Sequence, residues 1–186
     1  HTCVELMNAG QEIVVVDNNS PMNDYQKLES DIDTLQSNRI ELIRNEINSG
    51  FSAGNNIGLR RAKEKDADIV LATDPDADRL GVYCKDTKTG EYVTFTGNMS
   101  AMLIAEYILG QKHANGTMPE NPVLVESIVS TDMAKAIAAA YGVELVEVLT
   151  GFKYIGEQML KYEKAGDKNY VFGFEESYGC LPGTYA

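Results

Sequence analysis

The sequence predicts an α/β protein built of two small layered units with mixed or mostly parallel sheets. Three observations carry that expectation. Short apolar runs of strand length alternate with longer segments of helical period. Strand, helix and strand follow one another in the order that stacks helices on a parallel sheet. The composition, 44% hydrophobic and 24% charged over 186 residues, belongs to a chain that buries a core rather than to a disordered one.

The elements follow in order. Residues 13–16 (IVVV) form a β-branched run that closes on Asp17, and residues 40–43 form a second strand. A Gly-rich loop then leads into a helix over residues 56–65. Residues 69–72 and 80–83 read as strands, and residues 86–91 as a hairpin turn in which Gly90 supplies a positive φ. From Asn98 the apolar period becomes about 3.6, which places Met102, Leu103, Tyr107 and Ile108 on one helix face. Pro119 and Pro122 interrupt that pattern before a strand at residues 123–125. An Ala-rich helix over residues 131–140 takes Ser130 or Thr131 as its N-cap. Strands at 143–148 and 170–174 bracket a helix at 154–162. A break near residues 95–98 divides the chain into a unit of residues 1–95 and a unit of residues 96–186.

Charge and cysteine usage exclude several classes of function. Twenty-eight carboxylates stand against 16 Lys and Arg, a net charge of -12, so the basic footprint of a nucleic-acid binder is missing. No apolar run is long enough to span a bilayer and no signal-peptide pattern opens the chain, so no membrane partner is expected. Cys3, Cys84 and Cys180 are odd in number and widely spaced, which fits reduced thiols in the cytoplasm and gives no zinc spacing. His1 and His113 stand alone and receive no role. The chain opens on His1 and stops at Ala186 without a closing element, so it reads as a piece of something longer.

The sharpest chemical signal is the run Asp74-Pro75-Asp76-Ala77-Asp78-Arg79, directly after a buried-strand candidate. Carboxylates at alternate positions of an extended loop share one side and repel one another. A hard divalent cation removes that repulsion and takes their oxygens as ligands, leaving room for water and a phosphate as Mg²⁺ prefers. Arg79 follows at once, with a guanidinium fit for bidentate phosphate contact. The alternative is a solvated acidic turn; a place at the end of a buried strand, where open α/β sheets bind ligands, favours the metal.

Two further segments carry chemistry. Thr150-Gly151-Phe152-Lys153 joins a strand to a helix and offers backbone N–H groups and a lysine to an anion. Glu175-Glu176-Ser177, within GFEESYG, ends a strand with two carboxylates and a hydroxyl, groups that suit sugar hydroxyls. Taken singly, each has a bland alternative: Lys153 as an ordinary helix-start charge, the two glutamates as a solvated loop.

Taken together, the order DPDADR, TGNMSAMLIAEYIL, TGFKYIG, GFEESYG resembles the α-D-phosphohexomutases (phosphoglucomutase and phosphomannomutase) over about residues 62–186. The resemblance implies Asp74, Asp76 and Asp78 as Mg²⁺ ligands, and Arg79 beside the transferred phosphoryl group as the catalytic cation. It implies Lys153 as a substrate contact, and Glu175 and Ser177 as holders of sugar hydroxyls. The implied reaction interconverts hexose 1-phosphate and hexose 6-phosphate by phosphoryl transfer from a phosphoserine, with metal and arginine stabilising charge and the sugar loop positioning the substrate. No serine here has the family's phosphoserine context and its distal-phosphate domain is not in the sequence. The chain is therefore expected to need flanking domains for activity.

The N-terminal third departs from that pattern. VVVDNNS, followed by NSGFSAGNNIGL, resembles the nucleotide-binding region of an inverting glycosyltransferase of the GT-A type over about residues 1–62. There the resemblance implies Asp17 as a contact to the nucleoside of a sugar-nucleotide donor, a Gly-rich loop that lets backbone approach the ligand, and a DxD-like metal motif where Asp74 and Asp76 stand. The chain thus reads as two partial families joined near residues 62–68, a possible chimera. Three functions follow as expectations: a phosphohexomutase fragment acting on a hexose phosphate, a sugar-nucleotide-binding module, or a non-catalytic domain that binds a sugar phosphate or a partner protein.

Overall fold

The computed structural model describes residues 11–48, 50–74 and 78–184. Two compact units divide between Val70 and Leu71. In the first, β1 (Ile13–Asp17) and β2 (Ile40–Arg44) pair in parallel, Ile13 opposite Ile40 and Asp17 opposite Arg44. The helix α1 (Met22–Thr34) connects them and buries none of its residues. The helix α2 (Phe51–Glu64) follows β2 and packs on β1, with Gly58 over Val16. This corrects the sequence expectation of a loop up to residue 55. Gly50, at φ 84°, is the glycine that the chain needs for the turn, and helix starts immediately after it.

The second unit begins within β3 (Ile69–Thr73), which lies beside β4 (Leu80–Lys85) and β5 (Tyr92–Phe95) in the order β3-β4-β5. The last two strands form the expected antiparallel hairpin, with Gly90 at φ 75°. The elements α3 (Gly97–Ala114), β6 (Pro122–Ser127), α4 (Met133–Tyr141), β7 (Glu144–Val148), α5 (Phe152–Ala165), β8 (Asn169–Phe174) and β9 (Cys180–Leu181) follow. Their sheet has the order β7-β6-β8-β9, in which β6 pairs in parallel with β7 and β8, and β9 runs antiparallel to β8. The expected α/β class with mixed and largely parallel sheets is what the chain adopts.

Side chains leave a strand on alternate faces, and β6 shows how the two layers form. Leu124 packs with Phe172 and Phe174 of β8 against Ala101, Met102, Ala105 and Leu109 of α3 and Ala134, Ile137 and Ala138 of α4. Val123 and Val125 pack on the opposite face with Ile155 and Tyr162 of α5. The face predicted for α3 is corrected here, because Leu103 and Tyr107 are 58% and 68% exposed. Alanines at 101 and 105 let the helix approach the sheet closely. A helix apolar on nearly every side has no periodic minimum from which the buried face can be read. The N-cap of α4 is Asp132 rather than Ser130 or Thr131, although the Thr131 hydroxyl does accept from the Met133 N–H at 3.3 Å.

Gly156 lies inside α5 with no heavy atom within 4 Å of the position a Cβ would take. Gly156→Ala is expected to stabilise the chain by about 0.5–1 kcal/mol, through the lower chain entropy of alanine in the unfolded state. A urea unfolding midpoint at or below the wild-type value would contradict this.

Candidate functional site

The parallel strands β6, β7 and β8 end on one side of their sheet, and the loops that leave them carry the polar groups predicted from sequence. At the end of β8, Glu175 is 5% exposed although ionisable. Its Oε1 accepts the N–H of Gly151, and its Oε2 accepts the Ser177 hydroxyl at 3.3 Å. The backbone closes the loop where the Glu175 N–H donates to the Gly179 carbonyl at 3.0 Å. The Gly151 N–H at the start of α5, offered to an anion in the sequence reading, is occupied by the chain's own Glu175. Gly151, at φ 125°, caps that helix without a side chain, and exposed Lys153 follows with its Nζ 4.7 Å from the centre of the Tyr154 ring.

Glu176 is held from β6. Ser127, 1% exposed at the strand's last position, donates to Glu176 Oε2 at 2.6 Å. Since its single proton is committed there, the Ser130 hydroxyl is the donor in the 2.9 Å contact between the two serines. The loop also rests on α3: a Cβ at Gly97 would press into the Glu176 carbonyl and stand 2.7 Å from the Tyr178 nitrogen. Tyr178 itself adopts φ 73°, and its carbonyl accepts the Leu80 N–H at 3.2 Å.

That last bond brings the acidic segment beside the loop, because Leu80 follows Arg79. Asp74 has a largely covered side chain, 9% exposed. Its Oδ1 accepts the Arg79 N–H at 3.1 Å and its Oδ2 accepts Arg79 Nε at 2.7 Å. Asp78 Oδ1 stands 3.6 Å from the same Nε. Asp76 lies outside the described residues, as do Cys3 and His1. Among the described residues no three His, Cys, Asp or Glu side chains gather as a metal cluster. The donor set nevertheless fits Mg²⁺ in kind. Two hard carboxylate oxygens meet one cationic atom, and a cation of higher charge suits the same oxygens.

Sequence reasoning missed Glu126, which sits inside the apolar run of β6 at 2% exposure. Its Oε2 has no hydrogen-bond partner. Burial, with Glu147 reinforcing it, pushes its carboxyl from the ordinary 4.5 up to about 7; Lys135 and the Thr131 N–H pull the other way. The one available signal was a glutamate directly after the apolar run of residues 122–125 and within the same strand. Gly97, Ser127 and Ser130 carried no signal of their own, since each acts through a residue distant in sequence.

In the first unit, Asp17 ends β1 as expected and is 5% exposed. Its carboxylate is already engaged by the Ser20 N–H, 3.3 Å from each oxygen, and by Arg44 Nη1 at 3.5 Å. Arg44 also donates to the Ser20 carbonyl at 3.1 Å and covers the Tyr25 ring at 4.2 Å. Asn45 donates to Asn18, which donates in turn to Asn48 and to the Gly50 carbonyl. The strand end is thus cross-braced by side chains from both β-ends, and Arg44 is a member that the sequence reading had not named. Gly54 and Gly58 lie in α2 and not in a ligand-facing loop, a correction to the sequence expectation.

Comparison with known proteins finds a different family along each part of the chain. Residues 96–186 match the family model "Phosphoglucomutase/phosphomannomutase, alpha/beta/alpha domain III", and residues 2–77 match "Glycosyl transferase family 2". A phosphoglucomutase of Staphylococcus epidermidis is 40% identical over 116 residues, covering 62% of this chain and 20% of that protein. A phosphoglucomutase of Staphylococcus aureus is 38% identical over 120 residues, 64% of this chain and 20% of its own length. The chain therefore spans 20% of the length of these relatives. In fold it is similar to a phosphoglucomutase/phosphomannomutase family protein from Burkholderia thailandensis, at 21% identity and TM-score 0.53 over 92% of this chain and 35% of the other. It is likewise similar to the Aspergillus fumigatus N-acetylphosphoglucosamine mutase in complex with GlcNAc-6P and magnesium, at 17% identity and TM-score 0.52 over 94% of this chain and 34% of the other. Among the described residues no helix is long and apolar enough to cross a membrane. The chain thus resembles the α-D-phosphohexomutases over the longer of its two parts, and the family 2 glycosyltransferases over the shorter.

Proposed function

We propose that this chain supplies the metal loop and the sugar loop of a phosphohexomutase, an isomerase of carbohydrate metabolism that interconverts hexose 1-phosphate and hexose 6-phosphate. The observation that carries this reading is the Leu80–Tyr178 backbone bond, which sets the Asp74–Arg79 pair beside the loop of Glu175 and Ser177. Asp74, Asp76 and Asp78 would hold Mg²⁺, which when bound supplies positive charge to the phosphoryl oxygens. Arg79 is 52% exposed and is oriented by its own loop, so its guanidinium is presented for a phosphate. Lys153, exposed at the start of α5, adds a second cation for the substrate. Glu175 fixes the start of α5 against the sugar loop, so that Lys153 and the loop hold one geometry. The start of the family match at residue 96 supports a functional division between residues 1–95 and 96–186. The free thiols Cys84 and Cys180 support a cytoplasmic setting.

Calorimetric titration with Mg²⁺ tests the metal assignment. Asp76→Ala is expected to weaken Mg²⁺ binding at least about tenfold, because one of three charged ligands is lost. Equal affinity in the variant would overturn the assignment.

A second reading is favoured by the match of residues 2–77: a module that binds a nucleoside-diphosphate sugar at Asp17. Saturating donor sugar is then expected to protect the amides around Asp17 from hydrogen exchange, and unchanged exchange would dismiss it. Turnover of glucose 1-phosphate, with and without a phosphoserine-bearing domain supplied, separates both from a non-catalytic sugar-phosphate or partner-binding domain.

A further inference from the structure

We propose that Tyr154 is a positioning residue for Lys153, its ring holding the ammonium group in place for the phosphate of the bound sugar. The proposal rests on the phosphohexomutase reading, in which Lys153 contacts the substrate. It goes beyond that reading by naming what keeps the lysine in one place. Lys153 stands in the first turn of α5, one residue after the helix begins at Phe152. A cation is disfavoured there, because the N-terminal end of a helix carries partial positive charge. The side chain is also exposed, and a free lysine samples many rotamers. A lysine that meets a substrate at one point therefore needs a holder. Among the described residues Lys153 has no carboxylate partner, and its Nζ lies over the Tyr154 ring, 4.7 Å from the centre. That distance is within the range at which a ring face attracts a cation.

Tyr154 suits the task because it is itself fixed. Its backbone N–H donates to the Gly151 carbonyl at 2.9 Å, within the first turn. Its side chain packs against the cluster of Val123, Val125, Val148 and Ile155, on the α5 face of the sheet. Gly151 borders both side chains: a Cβ there would stand 3.7 Å from the ring and 3.9 Å from Lys153 Cγ. The helix start, the ring and the lysine stem thus form one packed corner. An ammonium carries three N–H donors, so a ring on one side leaves others free for phosphate oxygens. A lysine held beforehand gives up less freedom when the phosphate binds, which is what preorganisation requires.

The test is a double-mutant cycle on the full chain, titrated with glucose 1-phosphate and followed by heat. Tyr154→Leu is expected to weaken binding about two- to fivefold, the worth of a cation–ring contact at an exposed site. Tyr154→Phe, which keeps the ring, is expected to bind as the wild type does. In a Lys153→Gln background, Tyr154→Leu is expected to cause no further loss. A loss of the same size in that background overturns the proposal, since it marks an effect of Tyr154 that does not pass through the lysine. Wild-type affinity in Tyr154→Leu overturns it as well. The ε-methylene protons of Lys153 give a second readout that needs no ligand. They are expected to resonate upfield of the other lysines in the wild type and in Tyr154→Phe, and at the ordinary position in Tyr154→Leu. An ordinary position in the wild type contradicts the proposal. Failure of the wild type to bind glucose 1-phosphate would instead overturn the phosphohexomutase reading, while the lysine signal still reports whether the ring holds the side chain.

Discussion

Gly97→Ala is expected to displace the sugar loop and to cost the chain at least about tenfold in glucose 1-phosphate affinity, with a clear loss of stability. The added Cβ would enter the space of the Glu176 carbonyl and lie 2.7 Å from the Tyr178 nitrogen. Both obstacles are backbone, so neither yields by a rotamer change. The neighbours leave little slack, since the same short loop is tied by Glu175 to Gly151, by Glu176 to Ser127 and by Tyr178 to Leu80. Relief must come either from lifting the loop or from shifting the start of α3. In the first case the loop's sugar groups lose their positions, and in the second the Thr96 cap on Met99 is strained as well. Amide shifts concentrated at residues 174–180, with a lowered melting temperature, would report this. Gly110→Ala serves as a control, because its Cβ would meet only the outer end of the Tyr141 side chain, the hydroxyl at 3.2 Å and Cζ at 3.7 Å, and no backbone. Equal behaviour of the two variants would contradict the account.

The second large effect is a pH dependence of stability that originates at Glu126. Its folded carboxyl is raised to about 7 from an ordinary 4.5. Below the lower value the group is protonated in both states and contributes nothing to pH dependence. Between the two values the folded state keeps its proton while the unfolded state has lost it, so stability falls as pH rises. Above the higher value the whole penalty of a charge beside an unpartnered, buried Oε2 is present. At about 1.4 kcal/mol per pH unit across that window, the loss is about 3 kcal/mol. Other carboxylates titrate in the same range, so the comparison is with Glu126→Gln, which keeps the shape and removes the charge. Relative to wild type, the glutamine variant is expected to gain about 3 kcal/mol between pH 4.5 and pH 8, measured by urea unfolding at each pH. Parallel stability curves for the two proteins would remove Glu126 from the explanation.

Much of the fold was legible in sequence because its strands are short runs rich in apolar and β-branched residues. The runs beginning at residues 13, 40, 69 and 80 each open a strand at the expected residue. Gly90 announced its turn because few other residues adopt its conformation. The helix α1 escaped notice because it buries nothing, and so has no apolar face for a periodicity to reveal. In α3 the opposite condition held: exposed Leu103 and Tyr107 are as apolar as buried Met102, and only the sheet decides which side is covered.

The candidate site divides in the same way. Asp74, Asp76, Asp78 and Arg79 stand together in sequence, as do Glu175 and Ser177, so chemistry alone drew attention to them. Asp74 and Arg79 hold one another and Ser177 holds Glu175, but the remaining supports stand far off in sequence. Gly97 supports residues 176 and 178, Ser127 grips Glu176, and Gly151 occupies Glu175. Those pairings are products of strand order, and no local pattern encodes them. Glu126 was hidden for a related reason. A glutamate at a strand end ordinarily faces water, whereas this one lies on an inner strand of the sheet, opposite Glu147 of β7, and is 2% exposed.

The central claim is that the acidic loop and the loop of residues 175–177 form one hexose-phosphate site. Amide-shift mapping of the 15N-labelled chain, titrated with glucose 1-phosphate in the presence of Mg²⁺, tests it most directly. The account predicts that resonances of residues 78–80, 151–153 and 175–178 move together along a single binding curve. Shifts at only one of these segments, or separate curves for the acidic loop and the sugar loop, would contradict it.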